Sequence, residues 1–282
     1  DLWYNRYSYA FKPVANAYRA SASAIIPWQP LYRNKIADAA NIVPDGVGFR
    51  FKTTGYPSSS YAGSFNTQSL AVKKSNNQND DKFDWGIILN YTGSTSGSYR
   101  GAGNSDYRNW AEMKFYMSGA AADGGNVISD PIFLPFFDGG WWSVLFQRDQ
   151  HVDYTNNSNR VTYTLYAKNK IYDGNDGNSI GFEGSASVDA FDVTAGGVYG
   201  TGIYGTAIYG AQISGSINNA WNTHSFAGEK NGVYLGGKIE GAQVGGLICN
   251  EPGQAFSGSF QEFRYYSNPL SESVFNDFVM NP

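Results

Sequence analysis

Cysteine is almost absent from this sequence. Cys249 is the one cysteine among 282 residues, and with only two histidines the chain has no cysteine–histidine cluster that could bind zinc. A lone cysteine also excludes an internal disulfide, so any work outside a cell is done without disulfide cross-links. Stability therefore has to come from a packed core, and a chain of this length can bury a substantial one.

Charge is scarce as well, with 20 basic against 24 acidic residues and a net charge of −4. Apart from the pair Lys73 and Lys74 there is no basic run, which argues against nucleic-acid binding. No stretch approaches the about 20 apolar residues that a membrane-spanning helix needs, so we expect no membrane insertion. The chain begins at Asp1 without a signal peptide, and we expect it to be a piece of a longer precursor.

Aromatic residues and glycine are abundant, at 16% of residues and 34 residues respectively. Short apolar and aromatic runs alternate with glycine, asparagine, aspartate and proline, a pattern typical of all-β proteins. The polar loops between these runs are too short to be interdomain linkers, so we predict one domain over residues 1–282. The predicted strands cover residues 2–11, 47–53, 85–91, 111–117, 141–147, 161–166, 233–235 and 260–266.

A five-residue repeat occupies residues 198–217, which read VYGTG, IYGTA, IYGAQ and ISGSI. A period of five matches neither the two-residue period of a strand nor the 3.6-residue period of a helix. One interpretation is a low-complexity insertion at about residues 193–217, on the rim of the fold. The other is a binding or assembly surface, because tyrosine offers a large amphipathic contact area. The tyrosines of the repeat are Tyr199, Tyr204 and Tyr209.

Sequence motifs for catalysis are missing. The GxGxxG match at residues 200–205 has no helix after it, and the P-loop-like run at residues 232–238 is followed by Ile239 where serine or threonine is required. There is no GxSxG, and Glu183, Glu240 and Glu262 are isolated rather than closely paired. We therefore predict no enzymatic activity. A glycoside hydrolase or polysaccharide lyase is kept as an alternative, because distant carboxylates can converge in space.

The segment DGNDGN, residues 173–178, gathers carboxylate and amide oxygens, which are the hard ligands that calcium prefers. The same residue types are common in β-turns, so a plain turn is the alternative interpretation. A second acidic segment, NDDKFD at residues 79–84, is a further candidate for calcium. The ligands of the first predicted calcium site are Asp173, Asn175, Asp176 and Asn178.

Aromatic side chains beside a polar loop are candidate sugar-binding residues, since ring faces stack on the apolar faces of pyranoses. Tyr99, Tyr107 and Trp110 lie in or beside a glycine- and serine-rich loop and are predicted to bind the ligand. Trp141 and Trp142 are adjacent in a predicted strand, so their side chains point to opposite faces. One of these two tryptophans is therefore expected in the core.

Four segments follow one another with the turn-and-strand patterns of a known family. They are DGGWWSVLFQRD (138–149, with Trp142 in place of the usual histidine), VTYTLYAKNKIYDG (161–174), GVYLGG (232–237) and FSGSFQEFRYYSNPLSESVF (256–275). Together they resemble the laminin G-like, concanavalin A-like modules of the lectin and glucanase superfamily. They look most like such modules in large virion or fibre-type proteins of phages and giant algal viruses. The resemblance implies a two-sheet antiparallel jelly-roll β-sandwich with a short C-terminal helix.

The functions that this resemblance implies are mostly binding ones, sometimes with calcium at the rim. The leading hypothesis is a non-catalytic recognition or adhesion module, extracellular or on a virion surface, which binds glycans or a surface receptor through rim loops. The alternative is a structural capsid or fibre protein whose jelly roll packs against copies of itself or other virion proteins. Calcium ligands cannot be carried over from the family, because no matching motif is present.

The C-terminal segment predicts a strand, a turn and a short amphipathic helix. Gly258 begins the strand, and its apolar spacing breaks strict alternation, which predicts a β-bulge near Gln261 and Glu262. Ser271 is a suitable N-cap for the helix, which we expect to plug the sandwich. The expected apolar contacts are Phe260, Phe263 and Tyr265 in the strand, and Val274, Phe275, Phe278 and Val279 in the helix.

Overall fold

The computed structural model describes residues 9–11, 24–28, 44–53, 67–74, 84–91, 109–117, 127–153, 158–173, 177–193, 221, 232–236, 243–244, 247–248, 256 and 258–281. Most of these residues lie in β-strands, and a short helix ends the described chain. Within these ranges, no helix is long and apolar enough to cross a membrane.

The described strands are numbered in chain order. They are β1 (Tyr9–Phe11), β2 (Ala24–Pro27), β3 (Gly46–Thr53), β4 (Thr67–Lys74), β5 (Trp85–Tyr91), β6 (Ala111–Met117), β7 (Val127–Ile128), β8 (Ile132–Leu134), β9 (Trp142–Asp153), β10 (Ser158–Asp173), β11 (Gly177–Val193), β12 (Gly232–Leu235), β13 (Gln243–Val244), β14 (Leu247–Ile248) and β15 (Gly258–Tyr266). The C-terminal helix spans Glu272–Met280.

Two antiparallel sheets pack face to face in the described part of the chain. The first, here called the six-stranded sheet, has the order β1-β15-β3-β9-β10-β11. The second, the seven-stranded sheet, has the order β2-β12-β4-β5-β6-β7, with β8 also paired to β6. A separate antiparallel pair is formed by β13 and β14. The prediction of an all-β, two-sheet antiparallel jelly-roll sandwich with a short C-terminal helix is confirmed.

Sequence patterns predict some central strands well, but they miss the central strand β4 and the edge strand β11. The bounds of β5 and β6 agree with the predicted residues 85–91 and 111–117. In contrast, β11 is absent from the predicted strands although it pairs with β10 along most of its length. The reason is that β11 is an edge strand with exposed outer side chains such as Ser185 and Ser187, so it lacks an apolar pattern.

The hydrophobic core lies between the sheets, where every second side chain of a central strand points inward. In β6, Ala111, Met113, Phe115 and Met117 are fully buried, whereas Lys114 on the opposite face is partly exposed. Strands of the facing sheet contribute alternate apolar residues in the same way. Full burial of one such large side chain stabilises the fold by about 1.5–3 kcal/mol relative to its exposure.

Three buried tryptophans from distant parts of the chain meet in this core. The ring centroid of Trp221 lies 5.6 Å from that of Trp28 and 5.8 Å from that of Trp85. The Nε1 of Trp28 donates to the carbonyl of Trp221 at 3.0 Å, and the Nε1 of Trp221 donates to the carbonyl of Pro44 at 2.8 Å. Because a buried indole N–H needs an acceptor, these two bonds fix how Trp28 and Trp221 pack.

Lys73 is a cation buried beside these rings. It is fully buried on β4, forms an ion pair with Asp84, and its Nζ lies 5.5 Å from the ring centroid of Trp28. Burial lowers the pKa of Lys73, and the charge of Asp84 opposes that change. Asp84 belongs to the acidic segment 79–84, so this carboxylate of the second predicted calcium segment already binds a cation of the protein itself.

Arg148 is a second buried cation, on β9. Its Nη2 donates to Asp45 Oδ1 at 2.7 Å, and its guanidinium carbon lies 5.5 Å from the ring centroid of Trp221. Burial raises the pKa of the Asp45 carboxyl, and the charge of Arg148 offsets part of that rise. Lys73 and Arg148 thus each have both a carboxylate and an aromatic ring as partners.

The C-terminal helix packs on the outer face of the six-stranded sheet. Phe275 and Val279 are buried there against Leu145 and Tyr266, in a cluster separate from the main core. The expectation that the helix plugs the sandwich is therefore wrong. Alternation explains the difference, because Leu145 and Tyr266 are neighbours of inward-facing residues and point to the opposite face.

Polar contacts fix both the start of the helix and its position on the sheet. Ser271 is the N-cap, as predicted, and its Oγ accepts from the Val274 N–H at 3.4 Å. The side chain of Val274 is 41% exposed, so its predicted apolar contact is wrong. Lys168 of β10 donates to Glu272 Oε1 at 2.6 Å and to Asn276 Oδ1 at 2.8 Å, which ties the helix to the sheet.

The predicted β-bulge in β15 is confirmed. Gln261 pairs with Arg50 and Arg264 pairs with Gly48, so two residues of β15 lie opposite one residue of β3. Glu262 takes the extra position with a φ of 58°, a left-handed conformation that favours glycine.

The bulge restores the correct facing of the residues that follow it. The three aromatic residues predicted for the core, Phe260, Phe263 and Tyr265, are all buried there. A regular strand would place Phe260 and Phe263 on opposite faces, because side chains alternate. The extra residue therefore keeps Phe263 and Tyr265 inside and Arg264 outside.

We predict that breaking the Lys73–Asp84 pair is strongly destabilising. Asp84→Asn leaves a buried ammonium without its carboxylate, and Lys73→Met leaves the carboxylate without its ammonium, so each should lower the free energy of unfolding by about 3–5 kcal/mol. Urea denaturation measures the change. The double variant Lys73→Met/Asp84→Asn should lose less than the sum of the two single variants. Additive losses would contradict a coupled buried pair, and Lys52→Met, at a partly exposed site, is the control.

We also predict that the strain at Glu262 is measurable. Glu262→Ala and Glu262→Gly both remove the carboxylate, but only glycine adopts a φ of 58° without strain. Glu262→Gly should therefore be more stable than Glu262→Ala by about 1 kcal/mol. Urea midpoints of the two variants make the comparison. Equal stability, or a more stable alanine variant, would show that the left-handed conformation carries no strain.

Candidate functional site

Trp110 is the predicted sugar-binding residue that the structure describes. It directly precedes β6 and is partly exposed. Ala111 begins the inward row of β6, so Glu112 and Lys114 belong to the outer face of the seven-stranded sheet. Phe133 of β8 pairs with Glu112 and shares this face. The ring of Trp110 packs on Phe133, with 5.1 Å between centroids.

Phe182 extends this aromatic surface across the edge of the sandwich. It lies on β11 of the other sheet, is 43% exposed, and its ring centroid is 5.9 Å from that of Trp110 at an interplanar angle of 79°. The two rings therefore come from different sheets and form an apolar corner. This contact closes the sandwich at the edge where β8 and β11 approach each other.

A local irregularity in β10 and β11 positions Phe182. The register shifts between Lys168 and Lys170, which leaves two residues of β11 opposite Asn169. The Oδ1 of Asn169 accepts a hydrogen bond from the Phe182 N–H at 2.6 Å. Asn169 is buried, so this bond satisfies a backbone donor that the irregular pairing leaves without a ladder partner. Sequence reasoning misses Phe182 because β11 has no strand signal of its own.

Polar side chains lie beside these rings on the same outer face. Asn90 of β5 pairs with Glu112 of β6, which pairs in turn with Phe133 of β8. Glu112 is buried, and its Oε2 lies 3.0 Å from the Nζ of Lys114. Amide, carboxylate and ammonium groups thus share the outer sheet face that carries Phe133. We call this set the Trp110 surface, and its members are Trp110, Phe133, Phe182, Asn90, Glu112 and Lys114.

The other predicted aromatic ligand-binding residues lie outside the described residues. They are Tyr99 and Tyr107 of the loop and Tyr199, Tyr204 and Tyr209 of the repeat. Their role stays a prediction. Trp142 is fully buried, as expected for one of the adjacent pair, whereas Trp141 is partly exposed.

The predicted calcium segment joins β10 to β11, and Asp173 pairs with Gly177. A hairpin connection is the position that the turn interpretation predicts. Asn175 and Asp176 lie outside the described residues, as does the side chain of Asp173, and Asn178 is exposed. Among the described side chains, no group of three or more histidine, cysteine, aspartate or glutamate residues is placed to hold a metal ion. Calcium at this segment stays a prediction.

Comparisons with known proteins identify similar folds but no family. No family model matches the chain, and no curated protein matches it. A solved structure similar to it is the CBM40 of the Ruminococcus gnavus IT-sialidase, bound to α2,3-sialyllactose. The TM-score is 0.37 at 14% sequence identity, and the match covers 93% of this chain and 94% of that one.

A second similar structure is the leech intramolecular trans-sialidase, in complex with 2,7-anhydro-Neu5Ac. The TM-score is 0.37 at 12% sequence identity, and the match covers 92% of this chain but only 27% of the leech chain. This chain therefore spans about a quarter of the length of that enzyme. At these scores, neither similarity identifies a ligand or an activity for this protein.

Proposed function

We propose that this chain is a non-catalytic carbohydrate-recognition module that binds glycans at the Trp110 surface. The observation that carries the proposal is the meeting of two rings open to solvent, Trp110 and Phe182, at the edge of a sheet face that also carries Glu112. Large aromatic groups combined with a few well-placed polar groups are the usual composition of a small-molecule site. Three features of the Trp110 surface support this function: ring stacking, hydrogen bonding and the lack of a carboxylate pair.

Ring stacking is the first feature of the Trp110 surface that supports glycan binding. The rings of Trp110 and Phe182 stand at 79° to each other, so the corner between them offers one ring face and one ring edge. A pyranose can place its apolar C–H face on one ring while its edge contacts the other. Phe133 and the Asn169 hydrogen bond hold both rings in place before the ligand arrives. A pre-formed site of this kind loses little conformational entropy on binding.

Hydrogen bonding is the second feature that supports glycan binding. Sugar hydroxyls both donate and accept, and the Trp110 surface offers groups of each type. Glu112 is an acceptor, Lys114 is a donor, and Asn90 provides both functions. These three side chains project from neighbouring strands of one sheet, so their spacing is fixed by the backbone. Rigid polar groups of this kind determine which hydroxyl configurations fit.

The lack of a carboxylate pair on the Trp110 surface is the third feature, and it concerns cleavage. Hydrolysis of a glycosidic bond uses two carboxyl groups, roughly 5–5.5 Å apart in retaining enzymes and roughly 6.5–9.5 Å apart in inverting enzymes. The Trp110 surface, as defined from the described residues, contains the single carboxylate of Glu112, which is paired with Lys114. Binding without cleavage is therefore the function that these residues support.

The wider setting of this function is proposed from the sequence. The four laminin G-like segments support an extracellular or virion-surface location, in the manner of phage and algal virus fibre proteins. The same resemblance supports a surface receptor as a further partner class and calcium at the turn between β10 and β11. These proposals concern where the module works and leave the binding chemistry of the Trp110 surface unchanged.

We predict that removing either ring abolishes most of the binding. A glycan array with the full chain identifies a ligand, and titration calorimetry then compares variants on that ligand. Trp110→Ala and Phe182→Ala should each weaken binding by about tenfold or more, because buried aromatic contacts dominate binding energy. Tyr172→Ala is the matched control. Its side chain is 76% exposed and lies outside the Trp110 surface, so its affinity should equal that of the unmodified chain.

Three results would contradict the proposal. One is the absence of any glycan ligand together with concentration-dependent oligomers, which would favour an assembly role. Another is an equal loss of affinity in Tyr172→Ala, which would place the site elsewhere. The third is turnover of a polysaccharide that Glu112→Gln abolishes, which would identify an enzyme.

A further inference from the structure

A small cleft opens on the outer face of the six-stranded sheet, beside the C-terminal helix. Its polar lining comes from Arg50, Ser143, Glu262, Arg264 and Tyr266, and Phe278 of the helix forms an apolar wall. The cleft is distinct from the Trp110 surface, which lies on the outer face of the other sheet and at its edge. None of its polar residues is needed for the glycan binding proposed above.

The β-bulge in β15 builds this cleft. By adding one residue, it places Glu262 and Arg264 on the outer face, next to Arg50 of the neighbouring strand. A non-glycine residue in a left-handed conformation is strained. Backbone strain of this kind concentrates at functional sites, where other contacts hold it in place.

A glycine on β3 makes room for the tyrosine wall of the cleft. A side chain at Gly48 would come within 2.9 Å of the Tyr266 ring, so only glycine lets that ring lie across β3. Phe278 of the helix also packs against this ring, at 5.8 Å between centroids.

Charge in the cleft is unbalanced. Arg264 donates from Nη2 to Glu262 Oε2 at 3.2 Å, which pairs one cation with the one carboxylate of the lining. Arg50 is left with a buried Nε to which none of the described residues offers an acceptor. Its guanidinium lies 5.6 Å from the ring centroid of Trp141. Two guanidinium groups and one carboxylate give the cleft a net charge of about +1 at neutral pH.

The volume of the cleft limits what can enter it. It is about 20 Å³, whereas a cavity that holds one water needs roughly 10–15 Å³. The cleft therefore accepts a single small polar group and excludes a sugar ring or an aromatic ring.

We propose that this cleft binds the carboxylate of a small acidic ligand, with Arg50 as its main partner. The planar guanidinium donates two parallel hydrogen bonds to a carboxylate, and one of the donors in this geometry is the Nε that lacks an acceptor. One added carboxylate brings the net charge of the lining to zero. The carboxylate of Glu262 on Arg264 shows that the cleft already accommodates the same pairing.

The shared chemistry is the carboxylate, which comes either from an acidic sugar or from a small organic acid. In either case the rest of the ligand stays outside the cleft, near the partly exposed Trp141. The test uses D-glucuronate as the acidic sugar, acetate as the carboxylate alone, and D-glucose as the neutral counterpart of the first. This inference does not depend on glycan binding at the Trp110 surface.

The experiment is a nuclear magnetic resonance titration of the full chain, which follows the Nε–H signals of arginine side chains at constant ionic strength. Arg50→Lys assigns the Arg50 signal by its disappearance. Acetate and glucuronate should each shift that signal to saturation, and glucose should leave it unchanged. Tighter binding of glucuronate than of acetate identifies an acidic sugar as the ligand class, and equal binding identifies a small organic acid; both results support the carboxylate site.

Calorimetric affinity for glucuronate separates the guanidinium fork from simple charge. Arg50→Lys keeps the charge but removes the fork, and it should weaken binding by about tenfold or more. Lys52→Gln removes one charge from the same face of β3 outside the cleft lining, and its affinity should stay within about twofold of the unmodified chain. Trp110→Ala should also leave acetate binding unchanged, which separates this site from the glycan surface.

Several outcomes would overturn the proposal. An Arg50 signal that does not saturate with acetate or glucuronate would do so, as would an equal response to glucose. An equal loss of affinity in Lys52→Gln and Arg50→Lys would reduce the effect to general charge. Equal affinity for methyl sulfate would overturn the assignment to a carboxylate. If Arg50→Lys fails to fold, as thermal unfolding would show, the titration of the unmodified chain still decides.

Discussion

The two buried ion pairs are the constraint on which the rest of the core depends. Removing a charge from water costs several kcal/mol, so a sandwich core that contains Lys73 and Arg148 must supply each with a partner. Asp84 and Asp45 supply the carboxylates, one at the start of a strand of each sheet. The ring of Trp221 lies against Arg148 and between the sheets, so the packing of the two layers and the neutralisation of charge are one requirement.

A core filled in this way leaves the outer faces and edges of the sandwich for binding. Both proposed sites lie there, and both depend on a local departure from regular strand pairing. The irregular register at Asn169 turns Phe182 towards Trp110, and the bulge at Glu262 brings two arginines together. Bulges often re-aim side chains near functional sites, which is the role they have in both places. Regular strands build the scaffold, and its irregularities create the sites.

Features that depend on neighbours in sequence could be predicted from the sequence. The N-cap at Ser271 and the bulge near Glu262 follow from residue types and spacings within a few positions. The burial of Lys73 could not be predicted, because it depends on the ion pair with Asp84, which lies at the start of the adjacent strand. Phe182 could not be predicted for a related reason, because an edge strand with polar outer positions has no apolar period to detect. The Arg50 cleft requires the pairing of two strands from opposite ends of the chain.

The most direct test of the account uses the indole N–H signals of the seven tryptophans in a nuclear magnetic resonance spectrum, with and without a saturating glycan. Trp110 lies on the proposed binding surface, whereas Trp28 and Trp221 are buried in the core. The account predicts a large shift of the Trp110 signal and unchanged signals from the core tryptophans. A bound glycan that leaves the Trp110 signal unchanged would contradict it.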